Sequence, residues 1–182
     1  MKFPERLETK RLVLRRYRES DINNFYQLIQ NKQIIENFNL KPKLQDFEEV
    51  RSLFSSFLNI QNSSDTIFAL AICNKLNDDF LGTCGLKSIK NNTEMACFYA
   101  LLSSFQGFGF AIEAMLKLLE YAFEVLKSQK IIIHILSTNS RSWKVAERIG
   151  MKYMGHVLHF DSDVRAMLFS IEKNEYEAQR FY

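Results

Sequence analysis

Cysteine, histidine, glycine and long apolar runs are all scarce in this sequence, and each scarcity removes a class of protein. The three cysteines, Cys73, Cys84 and Cys97, are odd in number, sit among apolar neighbours and lack the close paired spacing of a zinc site or redox motif. They read as buried free thiols, not as a disulfide framework. His134, His156 and His159 are the only histidines and have no partner at metal spacing, so no metal is expected. His134, inside an apolar strand, reads as a core histidine. No run approaches the roughly 18 apolar residues of a membrane span. The opening MKFPERLETK also lacks the apolar segment of a signal peptide. A reducing cytoplasm and no membrane partner are expected. The net charge of +3 is small for 182 residues, and Lys and Arg are interspersed with Asp and Glu, which argues against nucleic acid as the partner. With 47% apolar residues the chain can bury a sizeable core, as one domain over 1–182.

What is present is a succession of strand and helix patterns. Leu12 and Leu14 alternate with Val13 and Arg15, and Ser20 and Asp21 then offer N-cap oxygens to a helix carrying Ile22, Phe25, Leu28 and Ile29 on one face. Phe47, Val50, Phe54, Phe57 and Leu58 mark a second helix, closed by the polar stretch 61–65. Apolar runs over 66–73 and 80–86, joined by polar 74–79, predict an antiparallel hairpin. Asn91 and Asn92 turn the chain into a third strand, Glu94 to Leu102. Ala111, Met115, Leu118, Ala122 and Val125 line one face of a long helix. The β-branched run Ile131 to Leu136 reads as a strand covered on both faces. A short helix over 139–149 stops at Gly150, and strands over 153–160 and 164–171 finish the chain. The predicted order is β α α β β β α β α β β, an α/β fold with a mixed sheet and helices on its faces.

Two of the six glycines fall in Gln106-Gly107-Phe108-Gly109-Phe110-Ala111, between a strand and the start of the long helix. At a helix N-terminus several N–H groups lack intrahelical partners, so a diphosphate can accept their hydrogen bonds along the favourable end of the macrodipole. A dinucleotide fingerprint would need a third small residue where Ile112 stands, and a P-loop would need Gly-Lys-Ser/Thr; both fail.

The segment does match Q/R-x-x-G-x-G/A, with Gln106, Gly109 and Ala111 in the three defined places. In this it resembles the cofactor motif of the GCN5-related N-acetyltransferase (GNAT) superfamily. The likeness extends along the chain. Leu7 to Arg15 followed by Ser20-Asp21 resembles the opening of the ribosomal-protein N-terminal acetyltransferase branch. Gly109-Phe110-Ala111-Ile112-Glu113-Ala114 resembles that branch's G-Y-A-x-E-A helix start. Asn139-x-x-Ser142 with Glu147 to Met151 resembles its N-x-x-S…E-K-x-G-F segment, and 163–176 its last strand and tail.

The resemblance implies an acetyl-CoA cosubstrate, a sheet split between the strand ending near Leu102 and the strand Ile131 to Leu136, and pantetheine in the split, bonded by backbone of Ala100, Leu101 and Leu102. Gln106, Gly107, Phe108, Gly109, Phe110 and Ala111 would hold the diphosphate, and Asn139 and Ser142 would reach the pantetheine arm and sulfur. The amine must lose a proton as it attacks the thioester directly, in a ternary complex. The family often has a Glu where this sequence has Ala96. Glu94, two residues earlier on the same strand face, is the candidate base through water, or a plain strand-end carboxylate beside Asn91 and Asn92. Ser142 is the candidate hydroxyl at the leaving sulfur, because Ala146 stands where many relatives have a Tyr. The acceptor side is expected from 22–39, the loop near Asn91 and 160–164, where Asp161 and Asp163 are either amine-attracting or solvated turn residues. The branch implies a peptide or protein N-terminal α-amine as acceptor. A small amine, or a non-catalytic acyl-CoA-binding module on the same fold, is the alternative. Monomer and homodimer are both compatible with the sequence.

Overall fold

The computed structural model describes residues 2–37, 46–59, 66–91, 93–158 and 164–179. In chain order its elements are β1 (Arg6–Glu8), β2 (Leu12–Arg15), α1 (Ile22–Ile29), α2 (Lys32–Asn37), α3 (Phe47–Asn59), β3 (Ile67–Asn74), β4 (Phe80–Lys90), β5 (Glu94–Leu101), α4 (Phe110–Glu120), β6 (Lys130–Ile135), α5 (Ser140–Arg148), β7 (Lys152–Leu158), β8 (Arg165–Glu172) and α6 (Lys173–Gln179). The expected α/β mixed sheet forms. It has eight strands in the order β1-β2-β3-β4-β5-β6-β8-β7, antiparallel except where β5 meets β6. β1, α2 and α6 add to the predicted order; with three, six and seven residues, none is long enough to print a clear periodicity. The long helical pattern that reaches Val125 is an α-helix to Glu120 continued by a π-turn over Tyr121–Val125, closed by Leu126 N–H donating to the Tyr121 carbonyl at 3.1 Å. The predicted polar closure at 61–65, with Asn92, His159, Phe160, Asp161 and Asp163, lies outside the described residues.

The sheet sorts its side chains by strand alternation. On β3, Phe68, Leu70 and Ile72 enter one core with Met115 and Leu118 of α4 and Ala146 of α5, while Ala69, Ala71 and Cys73 enter the other with Phe25 of α1 and Phe54 of α3. Being covered on both faces, β3 reads in sequence as a continuous apolar run. Phe54 is 2% exposed, and truncating such a ring to Ala costs about 3–5 kcal/mol.

β2 ends on an arginine that is drawn into the interior. Arg15 is buried and grips Asp21 with two parallel bonds, Nη1 to Oδ2 at 2.7 Å and Nη2 to Oδ1 at 3.0 Å, while its Nε reaches Asp78 at 3.0 Å. Asp21 also accepts from Arg18 N–H at 2.8 Å, so its carboxylate is turned to this network and makes no side-chain cap for α1. That corrects the role expected of it: the carboxylate caps the short turn Glu19–Asp21 that leads into α1, not α1 itself, while it compensates the buried guanidinium.

Candidate active site

β5 and β6 pair only over Glu94 to Ala96 against Lys130 to Ile132, and then part. Each keeps its other neighbour: β5 stays on β4 through Leu101, and β6 stays on β8 through Ile135. Strand alternation decides which groups of β5 face the gap. Leu102 N–H donates to the Leu81 carbonyl at 2.9 Å, and the Thr93 carbonyl accepts from Gln129 and Lys130 N–H at 2.8 and 3.1 Å. Residues 98, 100 and 102 therefore bond toward β4, and 97, 99 and 101 turn their N–H and carbonyl groups to the open edge. Of Ala100 to Leu102, expected as pantetheine partners, only Leu101 faces that edge, as Tyr99 does; the Leu101 carbonyl accepts there from Gln106 Nε2 at 3.1 Å, and Leu102 N–H is bonded to Leu81.

The parting opens a cleft of about 800 Å³, lined among others by Tyr99, Ala100, Leu101, Gln106, Gly107, Gly109, Phe110, Ala111, Asn139 and Ser142. Leu102 and Phe108 are the two predicted cofactor residues outside this lining. Leu102 packs into the core beneath α1 and α3, and the Phe108 ring is largely exposed, while its carbonyl accepts from Arg11 Nη1 at 3.0 Å.

At the mouth, Gly107 and Gly109 have φ of +87° and +80°, in the left-handed region where a Cβ is strained. Gly109 is the N-cap of α4, and its carbonyl accepts the first helical bond, from Glu113 N–H at 3.1 Å. The first-turn N–H groups of Phe110, Ala111 and Ile112 are thus available to an anion at the cleft. Gln106 acts through its side chain: Nε2 donates to the Leu101 carbonyl at 3.1 Å, and Oε1 accepts from Arg141 of α5 at 2.9 Å, tying the loop to both walls.

Two of the sequence motifs meet behind this loop. Arg11 donates from its backbone N–H and its Nε to Glu113 at 2.8 and 2.6 Å, Thr9 Oγ1 donates to the same carboxylate at 2.6 Å, and the Arg11 guanidinium lies 4.6 Å over the Phe110 ring. Burial pushes the Glu113 carboxyl up, but the bonds from Thr9 and Arg11 outweigh it and hold it below its ordinary value. Arg11 and Glu113 thus brace the turn that presents the helix N-terminus.

Deeper in, Asn139 caps α5 by accepting from Ser142 N–H at 3.2 Å, and the Tyr99 hydroxyl donates to Ser142 Oγ at 3.0 Å. Ala146 is buried, as its small side chain requires. Glu94 is elsewhere. It sits where β5 and β6 are still paired, 4.0 Å from Lys130 Nζ, and does not line the cleft. Ala96, on the same strand face, does. The residue that sequence reasoning undervalued is His134: Ile131, Ile133 and Ile135 point into the core with α4, which turns His134 to the opposite side, where it lines the cleft with Ala96 and Phe98. Strict alternation within β6 was the signal.

On the acceptor side, Asn31 and Ile34 from the predicted 22–39 region line the cleft, with Asn31 Nδ2 donating to Ser103 Oγ at 2.9 Å. Asn39 and the 160–163 stretch fall outside the described residues. Gly85 makes room there, since a Cβ would collide with the Phe68 carbonyl and the Phe98 ring. All three cysteines are free and buried, and burial pushes the Cys97 thiol, which borders the cleft, up to about 12. It is a neutral thiol, unfit as an acyl-carrying nucleophile.

The site is thus a parted sheet with a glycine-bearing turn and a helix N-terminus at one end and a hydroxyl pair in its depth. The acetyltransferase (GNAT) domain model matches residues 11–152, so the chain belongs to that family and is an acetyl-CoA-dependent N-acetyltransferase. It is similar to YkkB of Bacillus subtilis (strain 168), 31% identical over 158 residues, covering 84% of this chain and 88% of that one. It is also similar to the N-acetyltransferase p20 of Bacillus licheniformis, 26% identical over 177 residues, covering 94% and 98%. Its fold is similar to the crystal structure of spermidine N-acetyltransferase from Vibrio cholerae in complex with CoA and spermine, with TM-score 0.77, 20% identity, and 93% and 99% of the two chains covered. Among the described residues no helix is long and apolar enough to cross a membrane.

Proposed function

We propose that this enzyme transfers acetyl from acetyl-CoA directly to the α-amine of a peptide or protein N-terminus, in a ternary complex within the reducing cytoplasm. The observation that carries the acceptor is the charge of the cleft. Among its described lining residues Lys87, Arg141, Lys144 and Arg148 are cations and none is a carboxylate. The three on α5 suit the cofactor's phosphates. Lys87 is paired with Ala96 across β4 and β5 and shares its face, on the acceptor side. A polyamine, charged at each nitrogen, would meet like charge there. An α-amine has a pKa of roughly 7.7–8.0 against about 10.4 for Lys, so near pH 7.5 about a third of the former but only about 0.1% of the latter is neutral and able to attack.

In this reading the diphosphate takes the N–H groups of the Gly107 to Ala111 turn, with Gln106 and Arg11 holding that turn in place. The pantetheine lies along the open edge of β5, against Tyr99 and Leu101, with Asn139 and Ser142 across from it. His134, which lines the cleft with Ala96, takes the proton that the attacking nitrogen loses, imidazole being the side chain most suited to proton transfer near neutral pH. Glu94 could serve only at a remove, through water, from beyond the paired end of the split. The neutral Cys97 thiol favours direct transfer over an acetyl-cysteine intermediate.

The test compares kcat/KM at pH 7.5 for short peptides with a free N-terminus and no Lys, N-blocked peptides containing Lys, and spermidine. The free N-terminus is expected to lead by at least tenfold. Preference for spermidine would move the acceptor to small amines, and acetyl-CoA binding with no thiol release across the panel would leave an acyl-CoA-binding module.

A further inference from the structure

We infer that Tyr99 is a positioning residue for the leaving sulfur, acting through Ser142; this rests on the proposed placement of Ser142 beside the thioester. The two side chains come from opposite walls of the cleft, Tyr99 from the open half of β5 and Ser142 from the first turn of α5, and both line it. Tyr99 donates to Ser142 Oγ at 3.0 Å, and the Ser142 backbone N–H is held by Asn139 at 3.2 Å. A hydroxyl has one hydrogen to give and two lone pairs to receive. Once one lone pair takes the phenol hydrogen, the serine's own hydrogen turns away from Tyr99 and into the cleft. Accepting from Tyr99 also polarises Ser142, making it a stronger donor. Burial pushes the Tyr99 phenol up to about 12, outweighing the opposing effect of its bond to Ser142, so it remains a donor throughout the working pH range.

The step balances without any covalent change at either side chain. The amine nitrogen bonds to the thioester carbon, the carbonyl π pair moves to oxygen, and on collapse the C–S bond breaks with its electron pair going to sulfur. The Ser142 hydrogen bond stabilises that charge as it forms. The proton lost by the nitrogen balances the one that sulfur takes up to become the thiol.

The test measures kcat and acetyl-CoA affinity for Y99F, S142A, S142T, the double variant Y99F/S142A and the double variant Y99F/S142T, with the best acceptor of the wild type and folding checked by melting. Y99F should lower kcat about five- to tenfold, the worth of one ordinary hydrogen bond, with acetyl-CoA affinity within twofold. In the S142A background Y99F should add nothing, whereas in S142T, which keeps a hydroxyl, it should again matter. Losses that multiply in Y99F/S142A, an unchanged kcat in Y99F, or equal losses in kcat and cofactor affinity would each overturn the inference. Absence of turnover in the wild type would instead defeat the proposed function.

Discussion

The two halves of β5 end in opposite situations. Over Glu94 to Ala96 both edges are paired, and the carboxylate and ammonium of Glu94 and Lys130 close that end. Over Cys97 to Leu101 one edge stays on β4 while the other faces the cleft. Cys97 to Leu101, with two aromatics, is the more β-prone half, yet it is the half whose edge stays open, so propensity does not distinguish the two. What distinguishes them is whether the neighbouring strand stays alongside. An open edge inside an otherwise paired sheet holds directed donors and acceptors at strand spacing, which suits a long amide-bearing ligand such as pantetheine.

The strongest blow to the open end is Gly109→Val. It removes a residue at φ +80° and puts a branched side chain where the proposed site would bring the diphosphate to the helix N–H groups. Losing two charge-assisted bonds at about 1.5–3 kcal/mol each should weaken acetyl-CoA binding at least about a hundredfold by calorimetry. Unchanged affinity would detach the turn from the cofactor.

The sharpest contrast between the halves comes from His134→Gln and Glu94→Gln measured together. If the open end carries the proton transfer, the first should lower kcat by about 10²-fold and the second by less than about threefold. The reverse result would return the base to the closed end and make the paired half catalytic.

A smaller effect is expected from Arg11→Gln, behind the turn. Its ion pair with Glu113 is part-exposed, so acetyl-CoA affinity should fall only about three- to fivefold, with a modest drop in melting temperature. An effect confined to melting would make Arg11 a fold residue only.

The least effect is a pH dependence. Glu113 has a folded-state pKa below its unfolded one, so its contribution is present above the ordinary carboxylate range and is lost as pH falls through the folded value. Glu113→Gln should therefore flatten part of the loss of melting temperature on acidification, while changing little near neutrality. An unaltered acid limb would show that the bonds from Thr9 and Arg11 do not depend on that charge.

Much of this was legible in the residues themselves. Gly107 and Gly109 before a helix pattern announced a left-handed turn into a helix start, because left-handed backbone admits few other residues. Asn139 before the short helix was readable as a start, and it is a cap. Asp21 was read as the cap of the first helix; its carboxylate instead takes the Arg18 N–H of the short turn before that helix and the Arg15 guanidinium from six residues away. Glu94 shares a strand face with Ala96, yet its usefulness turned on where β5 and β6 part, a property of two strands joined only in space. His134 looked like core because its neighbours Ile133 and Ile135 are core.

By itself the sequence determined the longer strands and helices, the apolar run of β6, and the turn that carries the helix N-terminus, since each follows from local periodicity, backbone freedom and the removal of apolar surface from water. The tertiary structure alone decided that Thr9 and Arg11 meet Glu113, 102 residues beyond Arg11, that Tyr99 meets Ser142 43 residues on, and which edge of β5 stays open. Those depend on how separately specified elements pack, and hydrogen-bond partners that converge from different elements leave no periodic trace in any one of them.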